Sequence, residues 1–301
     1  MSGTKLPAVL GASVPKRNSG ELKTNGWELS LKWRDQLSNG IRYDIGLVLS
    51  DYQSEVVKFT GNPNGLLSTL YDGMKMGEIW GYETVGILQE DDFTIDENGK
   101  YVLIGPDQSK VHKTLYPGDI RYADLNDDGE ISNGDNTLEN PGDRRIIGNS
   151  TPRFQYGITG NISWKNLDLN IFFQGIGKKD VWISDNVFWG GDTAGNWEMY
   201  NNSWTPERTD AKYPMYAGRI SSTTQSGYLF NAAYLRLKTL ALGYTLPKAW
   251  VNKAKLSNVR LSISGYNLFE ITQIPDLYDP DQISSAYPMM RSVAFGLQVG
   301  F

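Results

Sequence analysis

The sequence predicts an all-β fold: a portion of a large antiparallel transmembrane β-barrel with long extracellular loops. Three observations predict it. Several segments alternate apolar and polar residues with a period of two, which gives a strand two different faces. The connections between those segments alternate between short turns and very long loops, as in outer-membrane barrels. The final stretch, S-V-A-F-G-L-Q-V-G-F, sets Val293, Phe295, Leu297, Val299 and Phe301 on one face and only small or polar residues on the other. A wall with lipid outside and a wet or plugged lumen inside needs such a strand.

Composition agrees. The 301 residues include 9 Trp, 17 Tyr, 10 Phe and 32 Gly. No run approaches the roughly eighteen apolar residues of a spanning helix. A membrane protein of this composition must therefore cross as a closed sheet, which satisfies every backbone group in lipid. The net charge of −5 speaks against a nucleic-acid partner. The lack of cysteine excludes thiol catalysis and cysteine–zinc sites. The single histidine, His112, lies between Lys110 and Lys113 in a polar stretch and reads as a surface residue. The opening M-S-G-T-K has no apolar core of a signal peptide, so a piece of a longer protein is expected.

Residues 1–25 read as irregular, broken by Pro7, Gly11, Pro15 and Gly20. The first strand is placed near 27–35, with Trp27, Leu29, Leu31 and Trp33 opposite Glu28, Ser30, Lys32 and Arg34. The Asn39-Gly40 turn leads to a strand near 41–52, with Ile41, Tyr43, Ile45, Leu47 and Leu49 on one face. A long loop, 53–152, follows, and within it 76–88 reads as a small hairpin or strand pair. Strands near 153–164 and 167–173 flank a tight turn at Lys165-Asn166. Residues 174–231 form the second long loop. The strand near 234–246 changes facing, which points to a bulge near Thr239. Strands near 259–269 and 291–301 complete the set. If the long loops are extracellular, Phe301 ends on the periplasmic side. Seven strands are too few for a barrel with such loops, so further strands are expected outside this sequence.

The sharpest chemical motif is D-L-N-D-D-G-E-I-S-N-G-D, residues 124–135. Asp124, Asn126 and Asp128 occupy positions one, three and five of a calcium loop, with Gly129 at six. Glu130 would offer its main-chain carbonyl at seven, Ser132 sits at nine, and Asp135 supplies the closing carboxylate in place of the usual Glu. The expectation is one structural calcium ion; a solvated acidic turn is the plainer alternative. Trp182, Trp189, Trp197 and Trp204 cluster in the second long loop as candidate substrate-binding residues, since exposed aromatic rings stack on sugars. The alternative is that they pack on each other or on a partner. Glu90, Asp91 and Asp92 could serve a glycosidase, but paired acids near turns are commonly solvated charge. Gly190-Gly191 follows no strand–helix pattern and gives no phosphate site. No nucleophile, base and orienting partner combine, so no enzyme activity is expected.

The segments P-G-D-I-R-Y-A-D-L-N-D-D-G (117–129), R-R-I-I-G-N-S-T-P-R-F-Q-Y-G (144–157), F-F-Q-G-I-G (172–177), S-W-T-P-E (203–207), A-Y-L-R-L-K-T-L-A-L-G-Y-T-L-P (233–247), N-L-F (267–269), Y-D-P-D (278–281) and the final A-F-G-L-Q-V-G-F resemble, in order, the C-terminal part of SusC/RagA-type TonB-linked outer-membrane proteins of the Bacteroidetes. The resemblance runs through nearly the whole chain. It implies an outer-membrane location and energy-coupled import of oligosaccharides or, in some relatives, peptides. It implies a SusD-like surface lipoprotein as lid, and contact with TonB through an N-terminal region; neither that region nor the family's plug is visible here. The family pattern includes the Asp/Asn-Gly loop at 124–135. Two other readings stand beside it: a secreted calcium-stabilised β-sandwich that binds carbohydrate, and a glycoside hydrolase using loop carboxylates.

Overall fold

The computed structural model describes residues 2–3, 16–189, 197–216, 223–283 and 289–301. Parts of the second long loop, 190–196 with Gly190-Gly191 and 217–222, lie outside the described residues. The chain forms two compact units. One gathers Asn25–Tyr52, Pro152–Asp180 and Asn231–Phe301; the other gathers Met1–Thr24, Gln53–Thr151 and Val181–Phe230.

The first unit is built on a seven-stranded sheet. Its strands are β1 (Gly20–Gln36), β2 (Arg42–Phe59), β3 (Arg153–Trp164), β4 (Leu167–Lys178), β5 (Tyr234–Thr245), β6 (Asn258–Thr272) and β7 (Ser292–Gly300). Each pairs with its neighbour in sequence, an uninterrupted up-and-down meander. The register puts the strand faces in line. Tyr43, Ile162, Leu169, Leu242, Ile263 and Phe295 form one cross-strand row. The next row, Asp44, Asn161, Asn170, Ala241, Ser264 and Ala294, faces the other way and is polar or small. On that wet face Asn161 donates to Asp44 at 2.7 Å, and Asn170 donates to Asn161. Arg260 forms a two-pronged ion pair with Asp168 there. The opposite face leaves large apolar side chains bare; Phe295 is 82% exposed. Such an apolar face in water would be a site of aggregation, and in a barrel wall it meets lipid.

The sheet departs from the sequence reading in its extents. Gly20–Gln36 is continuous strand, although residues up to 25, with Gly20 as a breaker, read as irregular chain. β4 runs on to Lys178, five residues past the expected end. Gly175, placed by the sequence reading in the second long loop, is a close-approach position in the strand: the Tyr156 ring lies where a Cβ would stand, and the Tyr156 hydroxyl donates to the Tyr234 carbonyl at 3.1 Å. The register shift in β5 falls between Leu237 and Thr239, opposite a second irregularity between Tyr266 and Phe269. There the side chains change sides, which explains the mixed parity of the sequence.

The second unit collects residues of both long connections around their own cores. Leu88, Phe93 and Leu115 form a small cluster with Leu103 against it. Phe188 sits at the centre of an aromatic group with Trp189, Tyr213 and Phe230. The two connections are stitched together by Tyr82 N to Thr224 O at 3.0 Å and Met215 N to Gly118 O at 2.8 Å. The stretch 76–88 is not a hairpin with itself. Glu78–Tyr82 pairs with Arg144–Asn149, and Thr84–Ile87 pairs with Ile120–Tyr122. Partners more than thirty residues away outcompete the local turn because they bury Tyr82, Ile120 and Tyr122. The sheets of this unit have only two strands each, so among the described residues no second large sheet exists to form a sandwich.

Candidate functional sites

The acidic loop folds as a tight series of side-chain-to-backbone turns. Asp124 Oδ2 accepts from Gly129 N at 2.9 Å, and Asn126 Oδ1 accepts from Asp128 N at 3.2 Å. Asp128 Oδ1 accepts from Glu130 N at 2.8 Å, while its Oδ2 accepts from the Asn126 amide at 2.8 Å. Gly129 holds a φ of 84°, a left-handed conformation that lets the chain wrap back on these oxygens. The amide of Glu130 and the side chain of Asn126 hold the Asp128 carboxyl below the usual range. Asp124 Oδ1 is buried and has no hydrogen-bond partner, so the loop keeps an oxygen in hand for a cation. The other two residues stand apart from this group. The Glu130 carboxylate pairs with Lys110, which leaves only its main-chain oxygen for a metal. Asp135 Oδ2 accepts from Asn140 at 3.0 Å. Among the described residues no group of three or more Asp, Glu or His side chains is gathered as metal ligands.

Asp143 is the residue of this loop that the sequence reading missed. It is fully buried, and its two oxygens accept from Leu125 N at 2.8 Å and Ser132 N at 2.7 Å. One carboxylate thus clasps both ends of the acidic turn. No spacing rule marks it, because it lies beyond the twelve residues of the motif.

The four tryptophans do not form one platform. Trp189 and Trp204 are buried in the core of their unit. Trp189 donates to Ile183 O at 2.6 Å and Trp204 to Gln89 Oε1 at 2.8 Å. Trp182 is half-buried with its ring centre 5.5 Å from that of Trp189. These three rings build the loop core, since loops this long have few other apolar groups to bury. Only Trp197 is open, at 77% exposure, edge-on to Tyr200, which is in turn edge-on to Tyr216. Tyr200 and Tyr216 border a pocket of about 350 Å³ with Trp204, Arg208 and Met215. Arg208 donates Nε and one terminal nitrogen to Ser203 O, at 2.9 and 2.6 Å, and the other terminal nitrogen to Asn201 O. These bonds to carbonyls fix the guanidinium in place, and its positive charge remains in the lining. The acids at 90–92 form a short helical turn in which Asp92 Oδ2 accepts from Gln89 N and the same carboxylate pairs with Arg121. They are a cap and an ion pair rather than a facing pair of catalytic carboxylates.

The wet face of the sheet holds a further constellation. Arg236 on β5 has 0% exposure. Its terminal nitrogens donate to Asp279 Oδ2 at 2.7 Å and Asp281 Oδ2 at 3.0 Å. Glu270 lies 3.3 Å from its Nε, an ion pair without hydrogen-bond alignment, so that nitrogen has no hydrogen-bond partner. Tyr234 donates its hydroxyl to the remaining oxygen of Asp281. The two aspartates thus fasten residues 273–283, where Ile274, Tyr278 and Pro280 are buried, onto the wall. Burial pushes the Asp279 carboxyl up, but Arg236 and the Asp281 amide outweigh it and hold the group below its ordinary value. Beside this latch a groove of about 510 Å³ follows the wet face past Lys32, Gln155, Thr159, Gln174 and Asp281.

Comparison with known proteins decides what this wall belongs to. No family model matches the chain. TonB-dependent receptor P3 of Formosa agariphila is 29% identical over 98% of the chain, and TonB-dependent receptor P26 of the same organism is 22% identical over 98%. Over nearly its whole length the chain is similar to TonB-dependent receptors, as a portion of a SusC/RagA-type receptor would be. It spans about 30% of the length of those curated relatives. The solved structure of the RagAB peptide transporter aligns with a TM-score of 0.65 over 98% of the chain and 31% of its own, at 20% identity. The RagAB peptide importer in its open-open state aligns at 0.68 over the whole chain. These likenesses establish the fold: the seven strands are a section of a receptor barrel. Two motifs of the resemblance, A-Y-L-R and Y-D-P-D, are the two halves of the Arg236 latch. The relatives are receptors rather than enzymes, in keeping with the absence of any expected turnover.

Proposed function

We infer that the complete receptor imports oligosaccharides across the outer membrane, coupled to TonB and capped by a SusD-like lipoprotein. The observation that carries this reading is the polar-in, apolar-out meander combined with receptor relatives across 98% of the chain. The open rings of Trp197 and Tyr200, beside a pocket lined by Tyr216, Met215 and Arg208, offer aromatic faces on which a sugar ring can stack. A peptide cargo is the second reading, favoured by the fold shared with a peptide transporter.

The topology that import requires places 53–152 and 174–231 outside the cell. Epitope tags at the exposed Asn98 turn and at Glu207, inserted into the full-length receptor, should bind antibody on intact cells. A tag at Lys165-Asn166 should bind only after permeabilisation. The reverse pattern would contradict the reading.

For the acidic loop, the proposal is one structural calcium ion held by Asp124, Asn126, Asp128 and the Glu130 carbonyl. Asp135 would have to leave Asn140 to close the site. The ion offsets the repulsion between crowded carboxylates and ties down backbone. The measurement is metal content and protease cleavage within 105–150 of the full-length receptor, with and without chelator. Chelation should open the loop, and Asp124→Ala should do the same while the barrel still forms. Glu130→Gln should change little. An unchanged digest and no bound calcium would leave a solvated turn clasped by Asp143 alone.

A further inference from the structure

The connection between β5 and β6 is short, basic and tipped by an open tryptophan. Lys248–Val251 makes a single helical turn, and Asn252–Ala254 continues it as a tighter one that Lys255 ends in a left-handed conformation, φ 56°. Val251 is buried and anchors the turn. Trp250 is 62% exposed, and Lys248, Lys253 and Lys255 are exposed as well. Residues 246–258, L-P-K-A-W-V-N-K-A-K-L-S-N, contain no Asp or Glu, in a chain whose net charge is −5. Burying Val251 explains the turn; it does not explain three exposed lysines in the same short connection as a bare indole.

This turn is continuous with its neighbours along one edge of the sheet. Thr245 N donates to Asn166 O at 2.9 Å, joining it to the β3–β4 turn, and Ser257 N donates to Gly300 O at 2.9 Å, joining it to the end of the chain. In the β3–β4 turn Lys165 Nζ lies 4.6 Å from the centre of the Trp164 ring. Phe301 is bare at the other side. Aromatic rings with an apolar body and a polar edge settle at the headgroup level of a bilayer, and long lysines reach from there into the polar layer. The apolar row of Tyr244, Leu261 and Leu297, and the pair Val259–Val299 beyond it, are the last before this border.

We propose that the β5–β6 turn, with Trp250 seated between Lys248, Lys253 and Lys255, is a binding edge for anionic phospholipid headgroups of the leaflet that the short turns reach. The occupant follows from charge complementarity: three cations without a carboxylate, beside a ring that prefers the interface, at the rim of the lipid-facing wall. This rests on the barrel topology proposed above. Each lysine near an anionic surface contributes about five-fold to binding.

The test uses the full-length receptor in detergent, titrated with phosphatidylglycerol or with phosphatidylcholine. The readouts are retained lipid by native mass spectrometry and the temperature at which the heat-modifiable barrel band is lost. Phosphatidylglycerol should bind and stabilise, and phosphatidylcholine should not. The triple variant K248Q/K253Q/K255Q should weaken the phosphatidylglycerol effect by roughly a hundred-fold. A matched change on the loops, K75Q/K113Q, should leave it intact. Inorganic phosphate at equal concentration should not compete, which separates a headgroup in a bilayer rim from a free-phosphate site. Equal binding of the two lipids by the wild type, or an undiminished effect in the triple variant, would overturn the proposal, as would loss of the effect in K75Q/K113Q alone. A wild type without a heat-modifiable barrel would instead sink the topology beneath it. The single variant K253Q, on an exposed turn, guards against a triple variant that fails to assemble: it should lose about five-fold.

Discussion

Arginine in place of Leu169 will hinder assembly of the full-length receptor. Leu169 sits mid-row between Ile162 and Leu242, with Ile263 and Phe295 continuing the row. A cation there faces hydrocarbon one row in from the border at the short turns, where the cost lies between about 0–1 kcal/mol at the interface and about 2–4 kcal/mol at the midplane. Leu47→Arg, on the same face of β2 and paired through Ile158 with Phe173 farther from the short turns, should hinder it more. Ser264→Arg lies one row away on the wet face and should assemble as the wild type does. The check is the heat-modifiable band of each variant in outer-membrane fractions. Normal assembly of Leu169→Arg would mean that the face is turned away from lipid.

The second large effect is expected at Arg236. Replacing it by Met keeps most of the volume but leaves Asp279, Asp281 and Glu270 crowded without their shared cation. Removing one partner of a buried ion pair costs about 3–5 kcal/mol. The loss should appear first as protease cleavage within 273–283 and then as a lower melting temperature of the barrel. Arg236→Met combined with Asp279→Asn and Asp281→Asn should recover part of it, because the uncompensated charges are gone. The pH dependence has a definite sign. The folded Asp279 carboxyl lies below its usual value of 3.8, so its share of stability is fully present above that value and is lost as pH falls through the lowered one. The strap should stay closed at pH 5 and loosen only in stronger acid. Loosening between pH 5 and 7 would show that another group controls the latch.

The wall was legible in the sequence because a strand needs only its own alternation to show its faces. Tyr43, Ile162, Leu169 and Phe295 are separated widely in sequence, yet each announces its side locally. The bulge at Leu237–Thr239 was legible for the same reason, as a break in parity. What failed to show depends on partners at a distance. β4 passes through Gly175 because the Tyr156 ring covers it, and nothing near Gly175 says so. The 76–88 stretch looks like a hairpin until residues 120–122 and 144–149 are brought to it. Trp189 and Trp204 have the composition of a sugar platform, but composition does not tell which rings the loops must bury for themselves. Arg236 reads as one more polar residue on a wet face; its role needs Asp279 and Asp281, more than forty residues on. The acidic loop was legible as a motif, while its clasp, Asp143, was not.

The sheet is a membrane wall with one face in lipid and the other in a wet lumen. Single cysteines placed in turn from 167 to 173 of the full-length receptor, spin-labelled in a bilayer, test it most directly. The alternation of β4 predicts that labels at 167, 169, 171 and 173 collide preferentially with apolar oxygen, and labels at 168, 170 and 172 with a water-soluble nickel complex. Accessibility that does not alternate, or that alternates with the opposite phase, would contradict the account.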